Sequence, residues 1–388
     1  MMDEGMTLPD GGDDGARAFN VLIISSSDAM VAKVSRVLKI GNRIVTTHQK
    51  NSIDGVSAFR SNGADVIILD VGAREDGWLT GISRLRKIDP NVIIVMISTA
   101  MSDHRMRAET DGLAHGAADF LSVPSSTATS VDKKAFEWRL VGLVHALGTA
   151  RRQMGSTLPS QKSASSSVEN GQKSLTPRTK STEAIQLRPY TANTPEVIAI
   201  ASSTGGPRAL MGFLSGLPRD LTVPIFITQH MPKGFTASLA QTITQNTGWP
   251  CHEGIDGMEV LSGYIYLAPG GMHQTVERGS PHNRVRIVDT PPENFCKPAA
   301  DPMFRSIAQV YGSKTLVMIL TGMGADGCTA ARQIADIGGN VIAQDQETSV
   351  VWGMPGAVAK AGICASVLPI DAMATEAAKI VRGQIPER

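Results

Sequence analysis

The chain has 388 residues and a formal net charge of +1, which allows two or three domains with their own cores and gives no global argument for nucleic acid or an anionic membrane surface. Cys251, Cys296, Cys328 and Cys364 lie far apart, with no CxxC and no metal-ligand spacing, so they read as reduced cytosolic thiols and not as a disulfide or metal framework. No apolar run approaches transmembrane length, so the expected location is the cytoplasm, without membrane insertion. Residues 1–18 carry Asp3, Glu4, Asp10, Asp13 and Asp14 with no basic or apolar signal region, as in a disordered acidic tail.

From residue 19, apolar strand candidates alternate with helix-period segments. The strands are Phe19–Ile24, Arg43–Thr47, Asp65–Leu69, Val92–Ile97 and Ala118–Leu121; Ala29–Leu38 and Leu79–Ile88 are among the helices. A last helix, about Val131 to Arg152, has Phe136, Leu140, Leu143, Val144 and Leu147 on one stripe. This alternation predicts a parallel α/β sheet with helices on both faces. The order and spacing resemble a response-regulator receiver domain over residues 19–152. Asp70, after Leu69, matches that family's phospho-acceptor. Ser98 or Thr99 matches its phosphoryl-following hydroxyl, and Asp119–Pro124 the end of its fifth strand. Two departures outweigh the matches. Ser25 and Ser26 stand where the family has an acidic pair for Mg²⁺, and Val123 stands where it has lysine. Mg²⁺ needs carboxylate oxygen, and a transferred phosphoryl group needs balancing charge. The domain is therefore expected to be a degenerate receiver, serving docking or dimerisation, with Asp70 a poor phosphorylation switch.

Residues 153–193 are rich in Ser, Thr, Gln, Pro and Gly with a mild basic excess, and read as a flexible tether. Alternation then resumes for residues 194–388. Val197–Ala201 is an apolar run suited to a strand buried on both faces. It leads through Ser202, Ser203, Thr204 and two glycines into a helix with Pro207 in its first turn and Leu210, Met211, Leu214 and Leu217 on one face. Such a turn lifts a hydroxyl above the sheet edge beside free backbone N–H groups, suiting a nucleophile or an anion site. The chemistry leaves Ser202 and Ser203 both open. Further strands are Pro224–Gln229, Gly263–Ala268, Arg284–Val288, Thr315–Thr321, Gly339–Ala343 and Ser366–Leu368. Ser203, His230 and Asp326 each follow the C-terminal end of a different strand. In an open parallel sheet those ends share one edge, where nucleophile, base and orienting carboxylate can meet.

Four separated motifs, Ala201–Gly206, Thr228–Phe235, Leu320–Gly327 and Ala343 through Pro355, closely resemble the chemotaxis methylesterase CheB family. The resemblance covers nearly all of residues 195–385, and receiver–linker–esterase is that family's domain order. It implies two doubly wound parallel-sheet domains, the first flavodoxin-like and the second Rossmann-like. It further implies a serine hydrolase with nucleophile Ser203, base His230 and third member Asp326. Oxyanion donors are implied at Met323 and near Thr204. The implied reaction is demethylation of glutamyl methyl esters on methyl-accepting chemotaxis receptors, with deamidation of receptor glutamines by the same chemistry. No metal or organic cofactor is implied; a chemotaxis histidine kinase is a further implied partner. Two positions depart from the family: Gly271 replaces Asp in Pro-Gly-Asp, and Cys296-Lys-Pro replaces His-Arg-Pro, both in loops expected to face substrate. The alternatives are a receptor-cluster binding protein with slow esterase activity, and an esterase for another protein substrate.

Overall fold

The computed structural model describes residues 17–72, 77–99, 111–113, 115–153 and 185–384. Most of the acidic tail and of the tether lie outside the described residues, as do residues 73–76 and 100–110.

In the first domain, strands β1 (Phe19–Ile24), β2 (Ile44–Gln49), β3 (Val66–Asp70), β4 (Ile94–Ser98) and β5 (Asp119–Ser122) form one parallel sheet in the order β2-β1-β3-β4-β5. Every residue of β3 and β4 is buried, which explains their unbroken apolar runs. Helix α1 (Asp28–Leu38) begins at Ser27, whose side chain accepts from the Met30 amide. Its Val34 and Leu38 join Phe136, Leu140 and Leu147 of α4 (Ser130–Gln153) on one sheet face. Helices α2 (Ser52–Asn62) and α3 (Trp78–Ile88) cover the other face with Phe59, Ile82 and Leu85.

The second domain has a seven-stranded, all-parallel sheet in the order β14-β13-β12-β6-β7-β9-β8. These are β6 (Val197–Ser202), β7 (Ile225–Gln229), β8 (Cys251–Glu253), β9 (Ile265–Leu267), β12 (Thr315–Ile319), β13 (Asn340–Gln344) and β14 (Ser366–Leu368). The sheet is flanked by α5 (Gly206–Gly216), α6 (Phe235–Thr247), α7 (Ala300–Tyr311), α8 (Cys328–Asp336), α9 (Met354–Lys360) and α10 (Ile370–Val381). Both domains are thus α/β, as the alternation requires. Two strands carry too little apolar signal to be expected: the three-residue edge strand β8 and β10 (His273–Glu277). The latter pairs antiparallel with β11 (Arg284–Val288) as a hairpin apart from the main sheet.

Residues 185–193 differ from the tether their composition suggests. The Arg188 amide donates to Cys364 O, and the Tyr190 hydroxyl lies 2.8 Å from a Glu376 carboxylate oxygen. The Thr191 hydroxyl donates to Gly338 O at 2.7 Å. Several backbone and side-chain donors of this segment, on Arg188, Tyr190, Thr191 and Asn193, bond to the second domain, so it is part of that domain's surface.

Candidate active site at the sheet edge

Strands β12, β6 and β7 are neighbours, and chain order reverses between β12 and β6, the kind of switch point that opens a crevice at the C-terminal edge. Ser203 follows β6, His230 follows β7, and Asp326 lies in the turn after β12. All three line one cavity of about 470 Å³.

The turn after β6 separates the two serines. Ser202 is the last strand residue, fully buried, and its hydroxyl is 2.6 Å from Gln229 Oε1. Gln229 also donates its Nε2 to Ser203 O at 2.9 Å, so the residue before His230 holds the turn in place. Ser203 projects into the cavity. Gly322 passes so close that a β-carbon there would stand 2.8 Å from Ser203 Cβ. Gly205, at φ 77°, caps α5 in a left-handed conformation that a side chain would disfavour.

His230 and Asp326 are both buried, with His230 Nε2 2.7 Å from Asp326 Oδ2. A carboxylate only accepts, so this bond fixes the proton on Nε2 and turns Nδ1 toward the cavity. Asp326 is itself tightly held. Its Oδ2 accepts from the Ala300 amide at 2.6 Å, and its Oδ1 from Asn294 Nδ2 at 2.8 Å. Helix α7 has Ala299 at its N-cap and no cap of its own, so Asp326 supplies the missing acceptor at a helix N-terminus. Burial opposes the Asp326 charge, but the His230 hydrogen bond and charge and the Ala300 and Asn294 donors outweigh it and hold the carboxyl below its ordinary range. Burial likewise opposes charge on His230; the Cys296 sulfur and the Asp326 bond overcome it and raise the imidazole to about 10. Cys296 Sγ is 3.4 Å from His230 Nδ1, and among the described residues no hydrogen bond joins Ser203 to His230. The Met323 amide, beside the same cavity, donates to no acceptor among the described residues, leaving it free for an anion.

Sequence reasoning missed Asn294, Asp301 and Gln229. Asn294 bridges Asp326 and Asp301, the latter at 2.9 Å, and Asp301 Oδ1 accepts from the Ala330 amide, tying α7 to α8. Only the polarity of Asn294 inside a proline-rich loop hinted at such a role. His273 is not at the reacting centre: it is buried, faces Pro291 O through Nε2 and accepts the Ala299 amide at Nδ1, pinning the loop that carries Cys296.

The first domain sits on this edge. Thr204 donates its hydroxyl to Asp119 Oδ2 at 2.6 Å, and the Gly205 amide donates to Ala118 O at 3.0 Å. Phe120 and Phe235 meet with ring centroids 4.9 Å apart, and Trp138 and Phe295 at 5.7 Å. Met323 packs on Gly142 of α4, where a β-carbon would come within 2.5 Å of its methyl. Asp119, expected only as a receiver strand-end residue, is thus a direct partner of the Ser203–Thr204 turn.

Residues 198–377 match the family model described as CheB methylesterase. A Paramagnetospirillum magneticum protein named protein-glutamate methylesterase/protein-glutamine glutaminase 1 is 39% identical over 368 residues, which is 92% of this chain and 94% of that protein. The chain belongs to the CheB methylesterase family. A relative from Azospirillum brasilense, named protein-glutamate methylesterase/protein-glutamine glutaminase, is 40% identical over 367 residues, covering 92% of this chain and 91% of its own. The Thermotoga maritima CheB methylesterase catalytic domain, a solved structure, is 38% identical, covers 48% of this chain and 98% of its own, and superposes with a TM-score of 0.47.

Within this CheB-family chain the receiver-like pocket is built differently from a metal-dependent one. Asp70 Oδ2 accepts from Ser25 Oγ at 2.7 Å, and its Oδ1 from the Gly72 amide at 2.8 Å. Ser26 is exposed, and Asp28 is an exposed first-turn residue of α1. Val123 is buried in the core. Among the described residues lining the pocket the cation is Lys33, whose Nζ is held by Pro124 O. Among the described residues the pocket holds one carboxylate, already occupied by donors, and that set does not fit Mg²⁺. Among the described residues no group of three or more His, Cys, Asp or Glu is placed to hold a metal.

Proposed function

We propose that this chain hydrolyses glutamyl methyl esters on methyl-accepting chemotaxis receptors, releasing methanol, and deamidates receptor glutamines through the same acyl chemistry. Family membership supports the reaction class, and the relatives' printed names carry both activities. The observation that supports it most is the meeting of Ser203, His230 and Asp326 at the ends of three adjacent strands, with Asp326 bonded to Nε2.

In this reading Ser203 Oγ attacks the ester carbonyl and passes its proton to His230 Nδ1, the nitrogen that Asp326 leaves free. Asp326 then stabilises the imidazolium. The Met323 amide, with a second donor near Thr204, binds the oxyanion; one such donor contributes about 10²–10³ in rate. His230 returns the proton to the leaving methoxide, and water repeats the cycle on the acyl-enzyme. For a glutamine side chain ammonia leaves instead.

The first domain serves as a docking module over the catalytic edge, and its contact partners include the chemotaxis histidine kinase. No helix among the described residues is long and apolar enough to cross a membrane, in keeping with action on receptor segments in the cytoplasm. The test is methanol release from methyl-labelled receptors incubated with the full chain. Release with enzyme-like turnover is expected; receptors that keep their label would overturn the reading.

A further inference from the structure

Cys296 stands at the one ring nitrogen of His230 that the proposed mechanism needs. Its Sγ is 3.4 Å from Nδ1, while Nε2 is held by Asp326 at 2.7 Å. Thiol, imidazole and carboxylate therefore form a second chain through the same histidine, alternative to the one through Ser203. The sulfur is placed by a tight turn. Glu293 and Cys296 exchange both backbone hydrogen bonds, and Asn294 and Phe295 between them have φ of 51° and 61°. A phenylalanine in that left-handed conformation is strained, and such strain persists where surrounding contacts enforce it. Here the enforcing contacts are Asn294 on Asp326 and Asp301, and Phe295 on Trp138.

The pair faces the cavity of about 470 Å³, ample for a small oxidant. Among the described residues, the charged groups lining that cavity besides His230 are Asp326, Arg139 of α4 and Lys297, whose Nζ is held by Asp289. A cysteine sulfur 3.4 Å from an imidazole nitrogen can hand its proton to that nitrogen, which generates the reactive thiolate. The other thiols are poorly placed for this chemistry. Burial pushes Cys251 and Cys364 up to about 12, and burial also raises the half-exposed Cys328.

We propose that Cys296 is a reversible oxidation site at which a hydroperoxide forms a sulfenic acid that silences the hydrolase. The thiolate sulfur attacks one peroxide oxygen, an S–O bond forms and the O–O bond breaks. Sulfur gives up two electrons, and the other oxygen leaves as hydroxide, which takes the proton from His230 and departs as water. The new oxygen lies against Nδ1 and blocks proton transfer from Ser203. The silencing step rests on His230 being the base; the reactivity of Cys296 does not.

The test treats the full chain with hydrogen peroxide at neutral pH, traps sulfenic acid with dimedone, and maps adducts by peptide mass while methanol release is followed. Adduct on Cys296 is expected to rise in step with lost activity, and dithiothreitol applied before trapping is expected to abolish the adduct and restore the activity. Iodoacetamide on the untreated protein is expected to label Cys296 at least about tenfold faster than Cys328, an internal comparison needing no variant. His230→Asn is expected to slow that labelling. Labelling of Cys296 no faster than Cys328 would overturn the proposal. So would complete oxidation of Cys296 with methanol release intact, or equal peroxide inhibition of Cys296→Ser. If the untreated chain releases no methanol, the proposed function fails, while the labelling ratio still judges Cys296.

Discussion

Thr204→Val tests whether the first domain restrains the catalytic edge. The substitution keeps the branched shape and the backbone amide but removes the hydroxyl that donates to Asp119 Oδ2 at 2.6 Å. Asp119 is left nearly buried without its best donor, since Arg139 stands 3.8 Å away and is 35% exposed in its side chain. Hydrogen bonds to charged groups contribute about 1.5–3 kcal/mol, and partial compensation by Arg139 favours the lower figure. About 1.4 kcal/mol is tenfold in an equilibrium, so domain opening should become roughly tenfold more populated. In the docked arrangement the cavity of about 470 Å³ is walled partly by Leu121, Phe136 and Arg139 of the first domain, so opening widens the approach to Ser203. Methanol release by the full chain should therefore rise severalfold, up to about tenfold. The Gly205 amide, which donates to Ala118 O across the interface, should exchange with deuterium faster in parallel. Faster Gly205 exchange with flat or reduced methanol release would refute the reasoning, because opening would then not limit turnover.

Cys296→Ala should shift the pH–rate profile. The Cys296 sulfur and the Asp326 bond raise His230 against the effect of burial, and a general base works only when neutral. Removing the sulfur lowers that pKa, so the acidic limb of kcat/KM against pH should move to lower pH; an unmoved or upward-shifted limb would contradict the assignment. At Asp70, a small acyl-phosphate donor with Mg²⁺ should leave the side chain mostly unmodified, and Asp70→Asn should leave methanol release nearly unchanged. Stoichiometric acyl-phosphate on Asp70 with a severalfold gain in activity would show that the Ser25 and Lys33 surroundings support transfer after all.

The buried strands were the most legible part of the chain. Val66–Asp70 and Val197–Ser202 are covered on both faces, so burial writes a continuous apolar run that sequence shows directly. Edge strand Cys251–Glu253 and the hairpin strand His273–Glu277 are half-solvated or polar, and leave no such run. Ser203, His230 and Asp326 could be paired in advance because strand ends in a parallel sheet share an edge whatever the strand order. Asn294, Asp301 and Asp119 could not. They reach the site from a turn, a helix start and the other domain, and their role exists only once hydrogen bonds to Asp326 and Thr204 close. The same holds for Cys296, visible as a departure from the family pattern but not as a partner of Nδ1.

The central claim is that Ser203, and not its neighbour, performs the hydrolysis. Ser202 and Ser203 are adjacent, but Ser202 Oγ is spent on Gln229 Oε1 inside the domain while Ser203 lines the cavity with His230 and Asp326. The deciding measurement is single-turnover methanol release from methyl-labelled receptors by Ser203→Ala and Ser202→Ala, each first checked for an unchanged fold by circular dichroism. Ser203→Ala should fall by at least about 10³-fold, while Ser202→Ala, losing one buried hydrogen bond, should retain much of the activity. An inactive Ser202→Ala beside an active Ser203→Ala would contradict the account.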